Sequence, residues 1–214
     1  MALIRDVFTI YRERGAWFLQ LIGQHLALAG ITILLAGTIG LLLGIWIAER
    51  PKTAPAVLTV ANIFYTIPAI SLLGILIPFT GIGNKTAVIA MTLYGLMPMI
   101  RNTYTGIRNV SSDVILAARG MGSTDRQILW KIKLPLALSV IIAGVRNMVV
   151  MTLSVTSIAA FIGAGGLGTA VYRGISIYNP ALTFAGSLLI AALALICDLL
   201  LGRLEARLKM RESC

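Results

Sequence analysis

The chain has 214 residues, of which 58% are hydrophobic and only 12% are charged, and its mean hydropathy is +0.91. Soluble domains carry roughly twice that share of charged residues, so the composition excludes a globule surrounded by water. The net charge of +10 comes from 18 Lys and Arg residues scattered between apolar stretches, which is typical of membrane-protein loops and does not indicate nucleic-acid binding. We therefore expect an all-α integral membrane protein, in contact with membrane lipid along most of its length.

The first segment, residues 1–18, differs from the rest of the chain because it mixes apolar and basic residues. Ile4, Val7, Phe8 and Tyr11 recur at helical spacing. This pattern predicts a short amphipathic helix lying along the membrane surface. We expect residues 19–214 to form a single transmembrane domain.

Five apolar stretches in this domain are each long enough to cross a bilayer once, for which about 20 residues suffice. They cover residues 20–47, 56–79, 86–107, 136–160 and 181–202. Most Lys and Arg residues fall in segment 101–133, after the first stretch and after the last. The positive-inside rule therefore predicts a cytoplasmic C-terminus and an extracellular N-terminus, although the arginines of the N-terminal segment count against it.

Two features inside the stretches predict contacts between helices. Gly40 and Gly44 have the spacing that lets two helix backbones approach closely. Arg146 and Asp198 are the most deeply placed charges, and an intramembrane charge usually faces a partner inside the bundle. We expect these two to pair, and the alternative is that Asp198 meets Arg203 near the cytoplasmic surface.

Residues 111–135, SSDVILAARGMGSTDRQILWKIKLP, form the longest polar interruption and are predicted to fold as two short helices. Ser112 can cap the first helix, and Thr124 with Gln127 has capping-box spacing for the second. The apolar residues of the second helix fall on one face: Ile128, Leu129 and Ile132. Such an element either rests on anionic lipid or is seated in a groove of a cytoplasmic partner.

Residues 163–168 spell G-x-G-x-x-G, the pattern of a dinucleotide-binding turn. That function needs a strand before the turn, a helix after it and an acidic residue about 20 positions further on. No Asp or Glu lies between Asp125 and Asp198, and a long apolar run precedes the glycines. The pattern therefore predicts a tight turn and no nucleotide, and nothing in the sequence indicates another cofactor or a metal site.

Residues 117–135, AARGMGSTDRQILWKIKLP, resemble the coupling motif of the permease subunits of binding-protein-dependent ABC importers. The family pattern is E-A-A, three residues, G, nine residues and I-x-L-P. The matching residues are Ala117, Ala118, Gly122, Ile132, Leu134 and Pro135. Leu116 stands where the family usually has Glu, which removes a carboxylate that could pair with a basic group of the partner.

The segments IFYTIPAISLLGIL, IIAGVRN and AAFIGAGGLG are similar to permeases for osmoprotectants such as glycine betaine, carnitine and choline. The resemblance implies the type I ABC importer permease fold in a bacterial plasma membrane, with the glycine-rich turn on the outer side. It implies that the 111–135 loop, including Ile128 and Leu129, docks on a separate ATPase, so that the chain itself is no enzyme. It further implies a second permease copy, identical or paralogous, and an extracellular binding protein.

Aromatic faces commonly hold quaternary ammonium ions, so we consider the aromatic residues near the middle of the second and third stretches as path-lining candidates. These are Phe64 and Tyr65, before the helix-distorting Pro68, and Tyr94. Ordinary core packing is the alternative for each. Rival functions are a permease of the same architecture for methionine, taurine or nitrate, and a gated channel or structural subunit. A membrane enzyme is disfavoured because the single histidine, His25, and two buried acids offer little acid–base chemistry.

Overall fold

The computed structural model describes residues 2–212, and every regular element in that range is helical. The longer helices are α1 (Ala2–Glu13), α2 (Gly15–Glu49), α3 (Ala54–Thr66), α4 (Ala69–Thr80), α5 (Asn84–Arg108), α9 (Leu138–Thr156) and α11 (Pro180–Glu212). The shorter ones are α6 (Ser112–Gly120), α7 (Asp125–Ile128), a π-helical turn (Leu129–Lys133), α8 (Leu134–Leu136), a 3₁₀ helix (Ser157–Ile162) and α10 (Gly168–Ser176).

The long helices α2, α5, α9 and α11 form the body of the bundle. Their apolar core includes Ala36, Met99, Ile141, Met148 and Leu153. Among residues 2–212, three helical stretches are long and apolar enough to cross a membrane: 15–49, 138–162 and 180–210. The bent pair α3 and α4 meets the same test as one broken span, whereas α5 does not, although it has 25 residues.

Helix α5 carries polar residues in its last third, including Arg101, Asn102 and Thr103, which lower its hydropathy. It packs closely against α2, as the two glycines of α2 predict. A Cβ atom on Gly40 would lie 2.7 Å from the Met99 Cβ, and one on Gly44 would lie 2.5 Å from the Thr103 Cβ. Only a missing side chain allows this approach, so the predicted close helix packing is confirmed.

The second predicted crossing, residues 56–79, is two helices and not one. The chain bends by 99° between α3 and α4. Ile67 and Pro68 have extended backbones, with ψ of 128° and 137°. Proline has no amide hydrogen and disfavours helical dihedrals in the residue before it, so α3 ends there and α4 begins in a new direction.

The N-terminal helix α1 packs on α11 through its apolar side. Val7 is 5% exposed, and the Tyr11 hydroxyl donates a hydrogen bond to the Ala185 carbonyl oxygen at 2.7 Å. Burial raises the pKa of the Tyr11 phenol. Ile4 and Phe8 remain exposed, so the helix has a protein-facing side and a free apolar side.

The glycine-rich pattern at 163–168 forms a turn between the 3₁₀ helix and α10. Gly163, Gly165 and Gly166 have φ of 74°, 80° and 77°, in the left-handed region that favours glycine. The Gly166 amide donates to the Gln24 Oε1 at 3.1 Å, which fastens the turn to α2. The turn lies between two helical elements, so the predicted tight turn is confirmed.

Candidate functional site

The polar segment 111–135 folds as a compact pair of helices with a defined corner. The Ser111 hydroxyl, one residue before the predicted cap, accepts from the Asp113 amide at 3.3 Å. Gly122 turns the chain with φ of 85°. The predicted capping box is present, since the Gln127 amide donates to the Thr124 Oγ1 at 3.3 Å and the Thr124 amide donates to the Gln127 Oε1 at 2.8 Å.

A salt bridge closes the corner, with 2.9 Å between the Arg119 Nη2 and the Asp125 Oδ1. Both side chains are exposed, so the pair contributes little free energy and acts mainly through its geometry. The two caps satisfy backbone amides that α6 and α7 would otherwise leave without partners. The loop therefore has a fixed shape of its own outside the apolar stretches.

The apolar face predicted on the second helix points towards the helical bundle of the same chain. Ile128 is 1% exposed, and Leu129 packs against the core of the bundle. The apolar side chains that the loop exposes are different ones: Leu116 at 63%, Met121 at 80% and Trp130 at 60%. This outcome follows from the continuation of the second helix into the bundle, because a helix entering a core buries its apolar stripe against that core.

The residues that match the family motif divide in the same way. Ala118 is buried, and Ile132 and Leu134 are half-buried. Ala117, Gly122 and Pro135 are exposed. The motif thus contains both residues that hold the loop on the bundle and residues that face away from it.

The loop is joined to α9 by a nearly unbroken series of backbone hydrogen bonds. The Leu134 amide donates to the Leu129 carbonyl oxygen, which closes the π-helical turn. The Ala137 amide donates to the Lys133 carbonyl oxygen at 2.9 Å, and the Ile141 amide donates to the Ala137 carbonyl oxygen at 2.9 Å. The loop therefore continues into α9 through these hydrogen bonds.

The end of the loop is also tied to α2. The Lys133 Nζ lies 2.7 Å from the Glu49 Oε1, and the two side chains are 18% and 32% exposed. Glu49 is the last residue of α2. The salt bridge connects the loop to the end of the helix that packs most closely on α5.

Arg146 forms the expected pair with Asp198. Its Nε lies 2.6 Å from the Asp198 Oδ1 and its Nη2 lies 2.8 Å from the Asp198 Oδ2. The two hydrogen bonds form a bidentate salt bridge between α9 and α11. The Arg146 Nη1 also donates to the Glu205 Oε2 at 3.2 Å. Gly202 leaves room for the guanidinium, since a Cβ there would lie 3.1 Å from the Arg146 Cζ. No hydrogen bond joins Asp198 to Arg203 within the described part of the chain.

A polar cavity of about 430 Å³ lies between α3, α5, α9 and α11. Three carboxamides, one guanidinium and one carboxylate line it together with a tyrosine ring. The lining residues are Asn62, Tyr65, Met97, Pro98, Arg101, Asn102, Asn147, Val150, Met151 and Asp198. The cavity adjoins the Arg146–Asp198 pair, because Asp198 is part of its lining.

Of the three aromatic candidates, only Tyr65 lines this cavity. Phe64 lines a separate apolar groove between α2, α3 and α5. Tyr94 is 7% exposed and packs with Leu72 and Leu73, with its ring centroid 6.2 Å from that of Tyr65. Of the three candidates, Tyr65 is exposed in the polar cavity, Phe64 is half-buried beside the apolar groove, and Tyr94 is buried.

Four polar residues of the cavity are not among the site residues predicted from the sequence: Asn62, Arg101, Asn102 and Asn147. Each is a polar side chain within a predicted apolar crossing, which is the pattern that marks functional positions in membrane helices. Helix α10 is likewise absent from the sequence prediction, although Leu167, Ala170 and Gly174 recur at helical spacing.

Comparison with known proteins agrees with this arrangement. The family described as "Binding-protein-dependent transport system inner membrane component" matches residues 40–210. The carnitine transport permease protein OpuCD of Listeria monocytogenes is 38% identical over 209 residues, which cover 97% of this chain and 94% of that protein. The glycine betaine/carnitine/choline transport system permease protein OpuCD of Bacillus subtilis is also 38% identical, over 97% of this chain and 91% of that protein.

Among solved structures, an inward-facing form of the MetNI methionine ABC transporter superposes with a TM-score of 0.82 at 25% sequence identity. The superposition covers 92% of this chain and 98% of the other chain. The all-helical fold is thus that of an ABC importer permease, and the resemblance drawn from the 117–135 motif is confirmed. The chain belongs to the family of binding-protein-dependent transport system inner membrane components.

Proposed function

We propose that this permease carries quaternary ammonium osmoprotectants, such as glycine betaine, carnitine or choline, into a bacterial cell. Permease subunits of this family do not themselves catalyse a reaction, and we infer that ATP is hydrolysed by a separate ATPase. The two OpuCD relatives, 38% identical over nearly the whole chain, are named for these solutes. The methionine transporter is less similar, at 25% identity, which favours osmoprotectants over methionine.

The observation that carries the coupling role is the fixed two-helix loop at 111–135, which lies outside the apolar stretches. Its outer surface exposes Leu116, Met121 and Trp130, although a free apolar side chain in water is unfavourable. A shallow recess of about 350 Å³ lies on the same helix pair, lined by Thr124, Arg126, Gln127, Trp130 and Lys131. We assign this mixed apolar and basic surface to the ATPase.

Leu116 replaces a carboxylate that the family usually has at that position. With 63% of its surface exposed, it adds an apolar contact to the docking surface. Docking then buries additional apolar surface where a motif with glutamate would form a charge pair. Exposed charge pairs contribute little free energy. Docking is expected to depend less on salt than it does for a motif with glutamate.

Closure of the ATPases would move the loop, and the loop would move α9. The backbone hydrogen bonds between Leu129 and Ile141 make this connection stiff. The Lys133–Glu49 salt bridge holds the end of α2 against the loop. Helix α9 carries Asn147, which lines the polar cavity. ATP-driven movement would thereby reach the solute path.

The cavity has walls from four helices and is open on one side, where Asn62, Tyr65 and Asn147 are exposed. We infer that a second permease copy, identical or paralogous, completes the path on that side. With the coupling loop in the cytoplasm, the C-terminus of the chain is cytoplasmic, and α1 with the 163–168 turn faces outwards. An extracellular binding protein would deliver the solute to that outer face.

Vesicles containing the permease, its ATPase and its binding protein test this function. We expect ATP-dependent accumulation of labelled glycine betaine, carnitine or choline, and none with an ATPase that cannot hydrolyse ATP. Accumulation of methionine, taurine or nitrate in place of the quaternary amines would contradict the substrate class. Flux without ATP would contradict an importer and favour a gated channel.

A further inference from the structure

The polar cavity contains one cation that is not neutralised within the chain. The Arg101 guanidinium lines the cavity and forms no hydrogen bond or ion pair among residues 2–212. The carboxylate in the cavity, Asp198, has both oxygens occupied by Arg146. The free charge that the cavity offers to a solute is therefore positive.

Arg101 is exposed on the side of α5 that lines the cavity, about two helical turns before the end of that helix. It precedes the end of α5 at Arg108 by seven positions, which at about 1.5 Å per residue places it roughly 10 Å from the coupling end of the helix. Asn147 is nine positions after the start of α9 at Leu138, or roughly 14 Å from the same end. The cavity thus occupies the half of the membrane domain nearest the coupling loop.

The remaining polar groups of the cavity are also available. The Asn62 and Asn147 carboxamides form no hydrogen bond within the described part of the chain, whereas the Asn102 Nδ2 donates to the Pro98 carbonyl oxygen at 2.8 Å. Tyr65 lines this space and is 43% exposed. A volume of about 430 Å³ falls within the range of about 300–1,000 Å³ that small-molecule sites have.

We propose that this cavity is a binding site for a zwitterion, in which Arg101 takes the carboxylate of the solute and the Tyr65 ring faces its quaternary ammonium. A guanidinium binds a carboxylate through two parallel hydrogen bonds, and an aromatic face attracts a cation that cannot donate hydrogen bonds. The proposal rests on the proposed function, since it assigns the site at which that substrate class is bound. It makes the permease itself selective for zwitterions over choline, which has no carboxylate and is repelled by Arg101.

The reconstituted complex with its binding protein tests the proposal through Arg101→Gln, Arg101→Lys and the matched control Arg108→Gln. Arg108 is the last residue of α5, is exposed and lies outside the cavity. Initial uptake of labelled glycine betaine is measured together with ATP hydrolysis stimulated by the loaded binding protein. The ratio of solute moved to ATP hydrolysed separates a lost contact with the solute from a misfolded complex.

For Arg101→Gln we expect about tenfold less glycine betaine moved per ATP, the effect of losing one charge-assisted contact. Arg101→Lys should recover part of this ratio, and Arg108→Gln should equal wild type. Choline uptake by Arg101→Gln should equal or exceed that by wild type.

An unchanged ratio in Arg101→Gln would overturn the proposal and leave Arg101 as a residue that reaches the lipid headgroups. Parallel loss of uptake and ATP hydrolysis, or a parallel fall in choline uptake, would overturn it in favour of a structural role. In each of these cases wild-type uptake of glycine betaine would leave the proposed function intact. Failure of the wild-type complex to carry any quaternary amine would instead refute the proposed function.

Discussion

Replacing Gly44 by alanine tests the close packing of α2 on α5 that supports the cavity. A Cβ at this position would lie 2.5 Å from the Thr103 Cβ and 3.1 Å from the Ile100 carbonyl oxygen. Carbon atoms in contact are normally about 3.5–4.0 Å apart, so the helices must separate by about 1 Å. Overpacking of this kind costs about 1–3 kcal/mol of unfolding free energy.

The matched control is Gly30→Ala in the same helix, where an added Cβ meets no atom within 4 Å. Alanine favours a helix over glycine by up to about 1 kcal/mol, so the control should be neutral or slightly stabilised. For a chain of this size, each kcal/mol of unfolding free energy that is lost lowers the melting temperature by about 2–4 °C. We expect Gly44→Ala to melt about 2–12 °C below Gly30→Ala. The melting temperatures are measured by tryptophan fluorescence of the protein in lipid nanodiscs. Equal melting temperatures would refute the packing argument.

Two further predictions concern the outer turn and the loop anchor. Gln24→Leu leaves the buried Gly166 amide without its acceptor and should cost about 1–3 kcal/mol of unfolding free energy. Gln20→Leu is the matched control, because Gln20 is likewise exposed and does not accept from Gly166, and it should not have this cost. Equal melting of the two variants would contradict the contact. Lys133→Glu places a second carboxylate beside that of Glu49, and the repulsion should lower transport-coupled ATP hydrolysis several-fold. The double variant Lys133→Glu with Glu49→Lys, which exchanges the two charges, should restore the hydrolysis. A double variant no better than the single one would show that the salt bridge does not anchor the loop.

The crossings follow from the spacing of charges in the sequence, but their exact course depends on distant contacts. Gln20, Gln24 and His25 interrupt the first apolar stretch, yet α2 runs unbroken from Gly15 to Glu49. Gln24 is bonded to Gly166, and the His25 Nε2 lies 3.1 Å from the Leu153 carbonyl oxygen. Partners more than 100 positions away in the chain make Gln24 and His25 compatible with the helix, and no local pattern reveals these partners.

In the 111–135 loop, too, some features follow from the local sequence and others depend on tertiary contacts. Its capping box is local chemistry and was predictable from Thr124 and Gln127. The side of the second helix that would face the bundle was not predictable, because Ile128 and Trp130 are both apolar and lie on different sides. The structure buries the first and exposes the second, a choice made by the way α8 and α9 continue into the membrane domain.

The polar cavity depends most on tertiary structure. Asn62, Arg101, Asn147 and Asp198 come from four helices, and their separation in the sequence gives no sign that they share one space. Pro68 predicts a distortion of the second crossing but not the 99° bend, since packing sets the direction of α4. Polar residues within apolar crossings are the signal that sequence analysis can use, and their grouping requires coordinates.

The central claim is that the exposed surface of the 111–135 loop docks on an ATPase. The most direct measurement compares Trp130→Asp with Tyr178→Asp for capture of the purified ATPase and for ATP-driven uptake. Trp130 is 60% exposed on the loop, and Tyr178 is 94% exposed between α10 and α11, so neither substitution disturbs a packed core. We predict that Trp130→Asp loses both capture and uptake while Tyr178→Asp keeps ATPase capture. Full capture and full uptake with Trp130→Asp would contradict the account.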